Sequence, residues 1–279
     1  MLAKVGEPGQ PAARYARAMN LPHDDVEALM REAASRFVMP RFGALVAGES
    51  HEKNPNDFVT IADLEAERFL APALVALLPG SVALGEEAAA ADARALDELQ
   101  REAPVWLIDP VDGTRNFINR SRDFGVMVAL VQAGAVRGGW ILLPVEDAFL
   151  AAEAGAGLRL ANPPPPREGG EPRGLAVGRL ADGRRAGDVA RAAGFAIAPH
   201  PGSAAVAYLR LAAGVSDFVV FSRTWPWDHA AGALAALEAG GAAIPLVDGA
   251  PYDARRRDSP LVAARSAALA GRVREVLTG

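Results

Sequence analysis

From Gly174 to Val247 the chain alternates short apolar runs with helical stretches: GLAVG, DGRRAGDVARAAG, FAIAP, GSAAVAYLRLAAG, SDFVVF, WDHAAGALAALEAGG and AAIPLV. Apolar runs bounded by Gly or Pro are strand-like, and the stretches between them are long enough for helices. Such alternation predicts an α/β layer in which helices cover a sheet. The preceding half puts helical patterns first and a strand meander after them, which predicts α+β organisation. No internal repeat links the two. We divide the chain into an N-terminal arm at 1–23, an α+β half at 24–152 and an α/β half at 153–279.

In the first half, Val26, Leu29, Met30, Ala33, Ala34, Phe37 and Val38 fall on one helical face, with Asp24 or Asp25 available as a cap and Pro40 as a stop. A second helical stretch spans about Ile61 to Leu78, and Pro72 inside it predicts a bend or a split. SVALGEE reads as a short strand entering a loop, and PVWLIDP as a strand ending where Pro110 removes a ladder donor. FGVMVALVQAGAVRGGWILLP and DAFLAAEAGAGLRL read as strands joined by Gly-containing turns. ANPPPPREGGEPRG is the most linker-like segment, and its prolines make a stiff surface loop rather than a polyproline ligand.

The chemistry concentrates at WLIDPVDGTRNF, residues 106–117. An apolar strand delivers Asp109 to a buried position, and the turn at Asp112-Gly113 brings a second carboxylate beside it. Two buried carboxylates this close repel, so one takes a proton or a cation sits between them. Mg²⁺, a hard ion that takes oxygen ligands and keeps exchangeable waters, suits such a place. The plainer reading is a strand-to-turn junction in which Asp109 caps and Asp112 makes an Asx turn. Further acids lie at Glu86 and Glu87 after a strand, at Asp57 and Asp63 around Thr60, and at Asp228 in the first turn of a helix behind Pro226. Each also has an ordinary explanation as a solvated loop or a helix cap. Ala230, Ala231 and Gly232 would let that last helix approach another backbone closely.

Composition removes several alternatives. The 279 residues contain no cysteine, which excludes disulfides, thiolate metal sites and thiol catalysis. A net charge of -5 gives no reason to expect a nucleic acid polymer as partner. No apolar run reaches the roughly 18 residues of a membrane span and no secretory leader is evident, so we expect a cytoplasmic protein without membrane attachment. Neither a GxGxxG loop nor a GxxxxGK[ST] loop is present, so nicotinamide and ATP are not expected. His23, His51 and His200 show no ligand spacing, and His229 points away from its neighbour Asp228 along the helix.

Taken together, GEE at 85–87, DPVDGTRNF at 109–117, WDHAAG at 227–232 and the upstream KNPNDFVTIAD resemble the inositol monophosphatase superfamily over nearly the whole chain from Asp24. This resemblance implies a layered αβαβα sandwich and a Mg²⁺-dependent, lithium-sensitive phosphomonoesterase, commonly a homodimer. It implies two or three Mg²⁺ ions, with Mn²⁺ as a substitute. Glu86, Asp109 and the Val111 carbonyl would hold the first, Asp109, Asp112 and Asp228 the second, and Glu87 would lie near a weaker third. Glu86 and Thr114 would help to activate water, with Asp63 behind Thr114. Backbone N–H groups of Gly113 and Thr114 would grip the phosphate of a small phosphorylated metabolite.

The substrate side departs from the pattern. Gly202, Ser203 and Ala204 match the segment that lines the family's substrate pocket, but Phe221 stands where inositol-cleaving members carry a glutamate that binds ring hydroxyls. An apolar ring cannot accept those hydrogen bonds. Fructose 1,6-bisphosphate, histidinol phosphate and 3′-phosphoadenosine nucleotides therefore stay open as substrates, as does a ligand-binding relative without turnover. Arg223 or Thr224 could compensate; Trp225 either stacks against a larger or less polar leaving group or is plain packing, and the basic run ARRRD at 254–258 either binds an anionic substrate tail or is a solvated surface run. The aspartyl phosphatases of the haloacid dehalogenase group also carry DGT after a strand, but they need DxDGT, and here the aspartates are spaced by three.

Overall fold

The computed structural model describes residues 20–54, 57–257 and 259–279. In chain order, α1 (His23–Ala33) leads to the hairpin β1 (Ser50–Asn54) and β2 (Asp57–Thr60), then α2 (Ile61–Leu77), β3 (Val82–Gly85) and α3 (Glu86–Ala91). Next come β4 (Val105–Asp112), α4 (Thr114–Ile118), β5 (Gly125–Gln132), β6 (Ala135–Leu143), β7 (Ala148–Glu153) and β8 (Gly157–Ala161). The second part holds β9 (Arg173–Ala176), α5 (Ala186–Ala192), β10 (Ala196–Ala198), α6 (Ala204–Ala212) and β11 (Phe218–Phe221). It ends with α7 (Pro226–Glu238), β12 (Ala242–Pro245), β13 (Leu261–Ala264) and α8 (Ala267–Thr278).

Two larger sheets form the frame, ordered β3-β4-β5-β6-β7-β8 and β10-β9-β11-β13-β12. The period-two alternation of β4 explains how the layers stack. Trp106 and Ile108 face α1 and α2, together with Val128, Trp140 and Phe149. Leu107, Met127 and Ile141 face the opposite way, into α6 and α7. Val219 and Phe221 of β11 reach the same middle core, while Phe218 and Val220 pack outward against α5 and α8. The order is thus helices, sheet, helices, sheet, helices, the αβαβα sandwich the resemblance implies.

The middle helices pack where side chains are missing. A Cβ on Gly139 of β6 would lie 2.7 Å from the Ala231 Cα, and one on Gly232 would enter the Tyr208 ring. The expected close approach of α7 is therefore made at both a strand and α6.

Several local expectations need correction. The residue before α1 is Pro22, and neither Asp24 nor Asp25 caps it; both lie in the first turn. Pro40 is not the stop: α-helical bonding widens at Ala34–Val38 and tightens at Met39–Arg41, which contains the proline. Pro72 does not split α2, which runs unbroken to Leu77. Glu86 and Glu87 begin a short helix rather than a loop. The large sheet runs on to β8 (Gly157–Ala161), and β9 (Arg173–Ala176) belongs to the second sheet. Most of the proposed N-terminal arm lies outside the described residues. Among the described residues, no helix is long and apolar enough to cross a membrane.

Candidate metal-dependent active site

Strand register assembles the acidic centre. β3 runs parallel to β4 with Gly85 beside Ile108, so Glu86 emerges next to Asp109. Asp109 continues the alternation of Leu107 and points toward α7, where Asp228 occupies the first turn. Against β5, Asp109 pairs with Met127 and Asp112 with Gly125, so β4 holds one residue more than its partner over this interval. That bulge cancels the face reversal a spacing of three would cause, and both carboxylates reach the same side. Pro110 sits within it, where no ladder donor is required.

Glu86, Asp109 and Asp228 each present an oxygen within 4.8 Å of the others. Burial holds Asp109 well above the usual carboxylate range, and repulsion from Glu86, Asp112 and Asp228 adds to it. The same two causes, burial and then Glu86, push Asp228 well up. Glu86 is raised to about 7 by burial, with Lys53 opposing the shift. A group of oxygen donors that resist ionisation together is the donor set a hard divalent cation satisfies, and Mg²⁺ fits it.

Asp112 lies to one side of this trio. Its carboxylate accepts from the Ser203 hydroxyl and, at 2.7 Å, from the Ala205 N–H at the start of α6. Burial raises its pKa, and these two donors hold the rise back. Asp63 joins α2 to the centre. It closes a capping box with Thr60 and lies 3.3 Å from the Thr114 hydroxyl, which is also 3.0 Å from the Val111 carbonyl. Asp63 thus serves the helix cap at Thr60 and reaches Thr114 with the same carboxylate. Burial lifts Asp63 to about 7. Gly113 begins α4 in the left-handed region at φ 88°, and a Cβ there would press on the Asp123 carbonyl and on Ser203 at 3.0 Å.

Two supporting residues carried no signal in the sequence reading or only a matching one. Lys53 reaches Glu86 at 2.9 Å and Glu87 at 2.8 Å. Burial alone would lower its pKa, but the glutamates outweigh it and raise it. Glu67 of α2, which the sequence reading did not single out, accepts from the N–H groups of Glu87 and Ala88 at 2.8 and 2.9 Å. Its carboxyl fills the space a Cβ of Gly85 would occupy, with the nearest atom at 2.1 Å. Glycine at the head of GEE is what admits the carboxylate that fixes the turn; a glutamate at helical spacing within α2 was the only clue.

The acidic centre opens into a hollow of about 410 Å³ that Gly113, Thr114 and Gly202 also line. The other expected substrate contacts are placed differently. Ser203 caps α6 and is spent on Asp112, and Ala204 is buried in the middle core. Phe221 is buried among Tyr208, His229 and His200, with ring centroids 4.9, 4.6 and 5.7 Å away, and is not among the residues lining the hollow. Strand alternation turns it into the core. Instead Arg223, Trp225, Trp227 and Arg257 form the lip.

His229 sets the position of that lip. Its Nε2 lies 2.7 Å from the Arg223 carbonyl, which can only accept, so Nε2 carries the proton. The Tyr208 hydroxyl, 3.1 Å from Nδ1, then donates to it. Burial keeps both neutral, pushing the Tyr208 phenol well up and His229 down to about 4. Both His229 ring nitrogens are thus engaged in orienting a loop.

A family profile described as the inositol monophosphatase family matches residues 24–277. The inositol-1-monophosphatase of Bacillus subtilis (strain 168) is 31% identical over 234 residues, covering 80% of this chain and 84% of that protein. The inositol-1-monophosphatase of Mycobacterium leprae (strain TN) is 32% identical over 256 residues, covering 80% of this chain and 85% of the other. Among solved structures, a Thermotoga maritima IMPase superposes with a TM-score of 0.74 at 25% identity, covering 92% of this chain and 96% of that one. With its motifs on the expected elements and its layers in the expected order, this chain belongs to the inositol monophosphatase family and is a phosphoric monoester hydrolase.

Proposed function

We propose that the site hydrolyses a small phosphate monoester with Mg²⁺ as its cofactor and without a covalent enzyme intermediate. Glu86, Asp109 and the Val111 carbonyl would hold one ion, Asp109, Asp112 and Asp228 a second, and Glu87 would serve a weaker third. When bound, Mg²⁺ supplies fixed positive charge where the phosphoryl and leaving oxygens gather negative charge. The chain's own groups do the positioning. Asp63 and the Val111 carbonyl hold the Thr114 hydroxyl, which with Glu86 orients the attacking water. N–H groups of Gly113 and Thr114 bind the phosphate. The water oxygen bonds to phosphorus as the bond to the departing alcohol breaks; of the water's two protons one ends on the alcohol oxygen and the other stays with the inorganic phosphate.

The observation that carries this reading is the meeting of Glu86, Asp109 and Asp228 at the floor of an open hollow. The same reading expects lithium inhibition, replacement of Mg²⁺ by Mn²⁺, a cytoplasmic location and a homodimer. Its test is phosphate release from inositol phosphates, fructose 1,6-bisphosphate, histidinol phosphate and 3′-phosphoadenosine nucleotides. Release that needs Mg²⁺ and stops in excess chelator supports it. Full activity in chelator, or metal-dependent ligand binding with no hydrolysis anywhere in the panel, contradicts it.

A further inference from the structure

We infer that the leaving group this hollow takes carries a flat, unsaturated ring seated against Trp225; the inference rests on the phosphatase reading above and names its substrate class. The floor of the hollow is acidic, but its lip is aromatic and cationic. Trp225 and Trp227 lie parallel, 4° apart with centroids at 5.3 Å. Trp227 is buried, whereas Trp225 is 39% exposed, the one tryptophan among the exposed large apolar residues. The Arg257 guanidinium lies over the Trp225 ring, 5.6 Å from its centroid, so a leaving-group ring takes that place and the guanidinium moves to its edge or outer face; Arg257 and Arg223 both line the hollow. Ala93 and Leu96 add a further apolar surface to the lining.

This indole is held in place. Pro226 opens α7 immediately after it, and the carbonyl two residues before it is fixed by His229, itself fixed by Tyr208. A rigid exposed ring backed by a second ring is a stacking platform. Stacking a planar ring on such a platform is worth about tenfold or more in affinity, because every aromatic ring offers a π face. A polyol gains nothing comparable there. Its hydroxyls would leave water to face indole carbon and alanine methyl groups, and the residue position that could have accepted from them is Phe221, turned into the core. Arg257 and Arg223 favour the same class, since guanidinium groups stack on aromatic rings and bind further negative charge. A nucleoside phosphate combines these features.

The test compares benzyl phosphate with cyclohexylmethyl phosphate on the full chain with Mg²⁺. The two leaving alcohols have similar acidity, so a difference in kcat/KM reports the ring. Benzyl phosphate is expected to be preferred by about tenfold, mainly through KM. Trp225→Leu should bring the ratio to within about twofold and Trp225→Phe should keep most of it. If the leucine variant does not fold, inhibition of the parent by benzylphosphonate against cyclohexylmethylphosphonate decides, with tighter binding of the aromatic one expected. Equal rates on both esters with equal inhibition, or an undiminished ratio in folded Trp225→Leu, overturns the inference and leaves the phosphatase reading standing. No Mg²⁺-dependent release from any phosphate ester overturns both.

Discussion

Asp109 and Asp112 stand three residues apart on one strand yet open to the same side, because β4 carries one residue more than β5 between them. Asp112 is then held by Ser203 and by the Ala205 N–H at the start of α6. Replacing Asp112 by Asn keeps its shape and removes its charge. Turnover should fall by about a hundredfold or more, the scale on which a removed electrostatic contact to the reacting group acts. Because burial already disfavours the charged form, the thermal midpoint of the metal-free variant should match or exceed the parent's. Phosphate release and a melting curve check both; an Asn variant as fast as the parent would remove Asp112 from the site.

Gly85 has no room for a side chain, since the Glu67 carboxyl fills the place. Gly85→Ala should cost about 2–3 kcal/mol in urea unfolding, in the range of overpacked interiors. Adding Glu67→Ala should recover part of that loss, because the two changes share one contact and are not additive. A double variant as unstable as the sum of the singles would show that the glycine serves something else.

The stabilising effect of Mg²⁺ should grow with pH. Glu86 and Asp63 are raised to about 7 from an ordinary value near ~4, so between these values the folded metal-free protein binds more protons than the unfolded chain. Their contribution to stability therefore falls as pH rises through that window. Mg²⁺ held by Glu86 must release that group's proton, and its charge favours ionisation of Asp63 close by, so the rise in thermal midpoint on adding it should be small near about pH 5 and larger near about pH 8. His200 and His229, held down at about 4, act on stability in the opposite sense. Their ring nitrogens bond to the Gly202 N–H, to the Tyr208 hydroxyl and to the Arg223 carbonyl rather than to a metal-binding acid, so their effect largely cancels in the difference. Equal shifts at the two pH values would contradict the assignment.

Much of this was legible because local chemistry and tertiary role coincide. The alternating segments from Gly174 onward are short, apolar and punctuated by glycine, and they became β9 to β12 with their helices. The acidic residues of the centre lie in the motifs that carried the resemblance: GEE, DPVDGTRNF and WDHAAG. Glu67 was not legible, because its role depends on a missing Cβ at Gly85, far along the chain. Nor was α3, too short for helical periodicity to register. β13 and α8 follow a basic run and are rich in alanine, so no strong apolar pattern marked them. Phe221 was read as a pocket residue from its position in a motif, while its strand's alternation directs the ring into the middle core.

The most direct measurement is an anomalous difference map from crystals of the protein grown with Mn²⁺. The account predicts peaks between the carboxylates of Glu86, Asp109 and Asp228 and toward Asp112, lost when Asp109 is replaced by Asn. Peaks elsewhere, or none with those side chains turned apart, would contradict it.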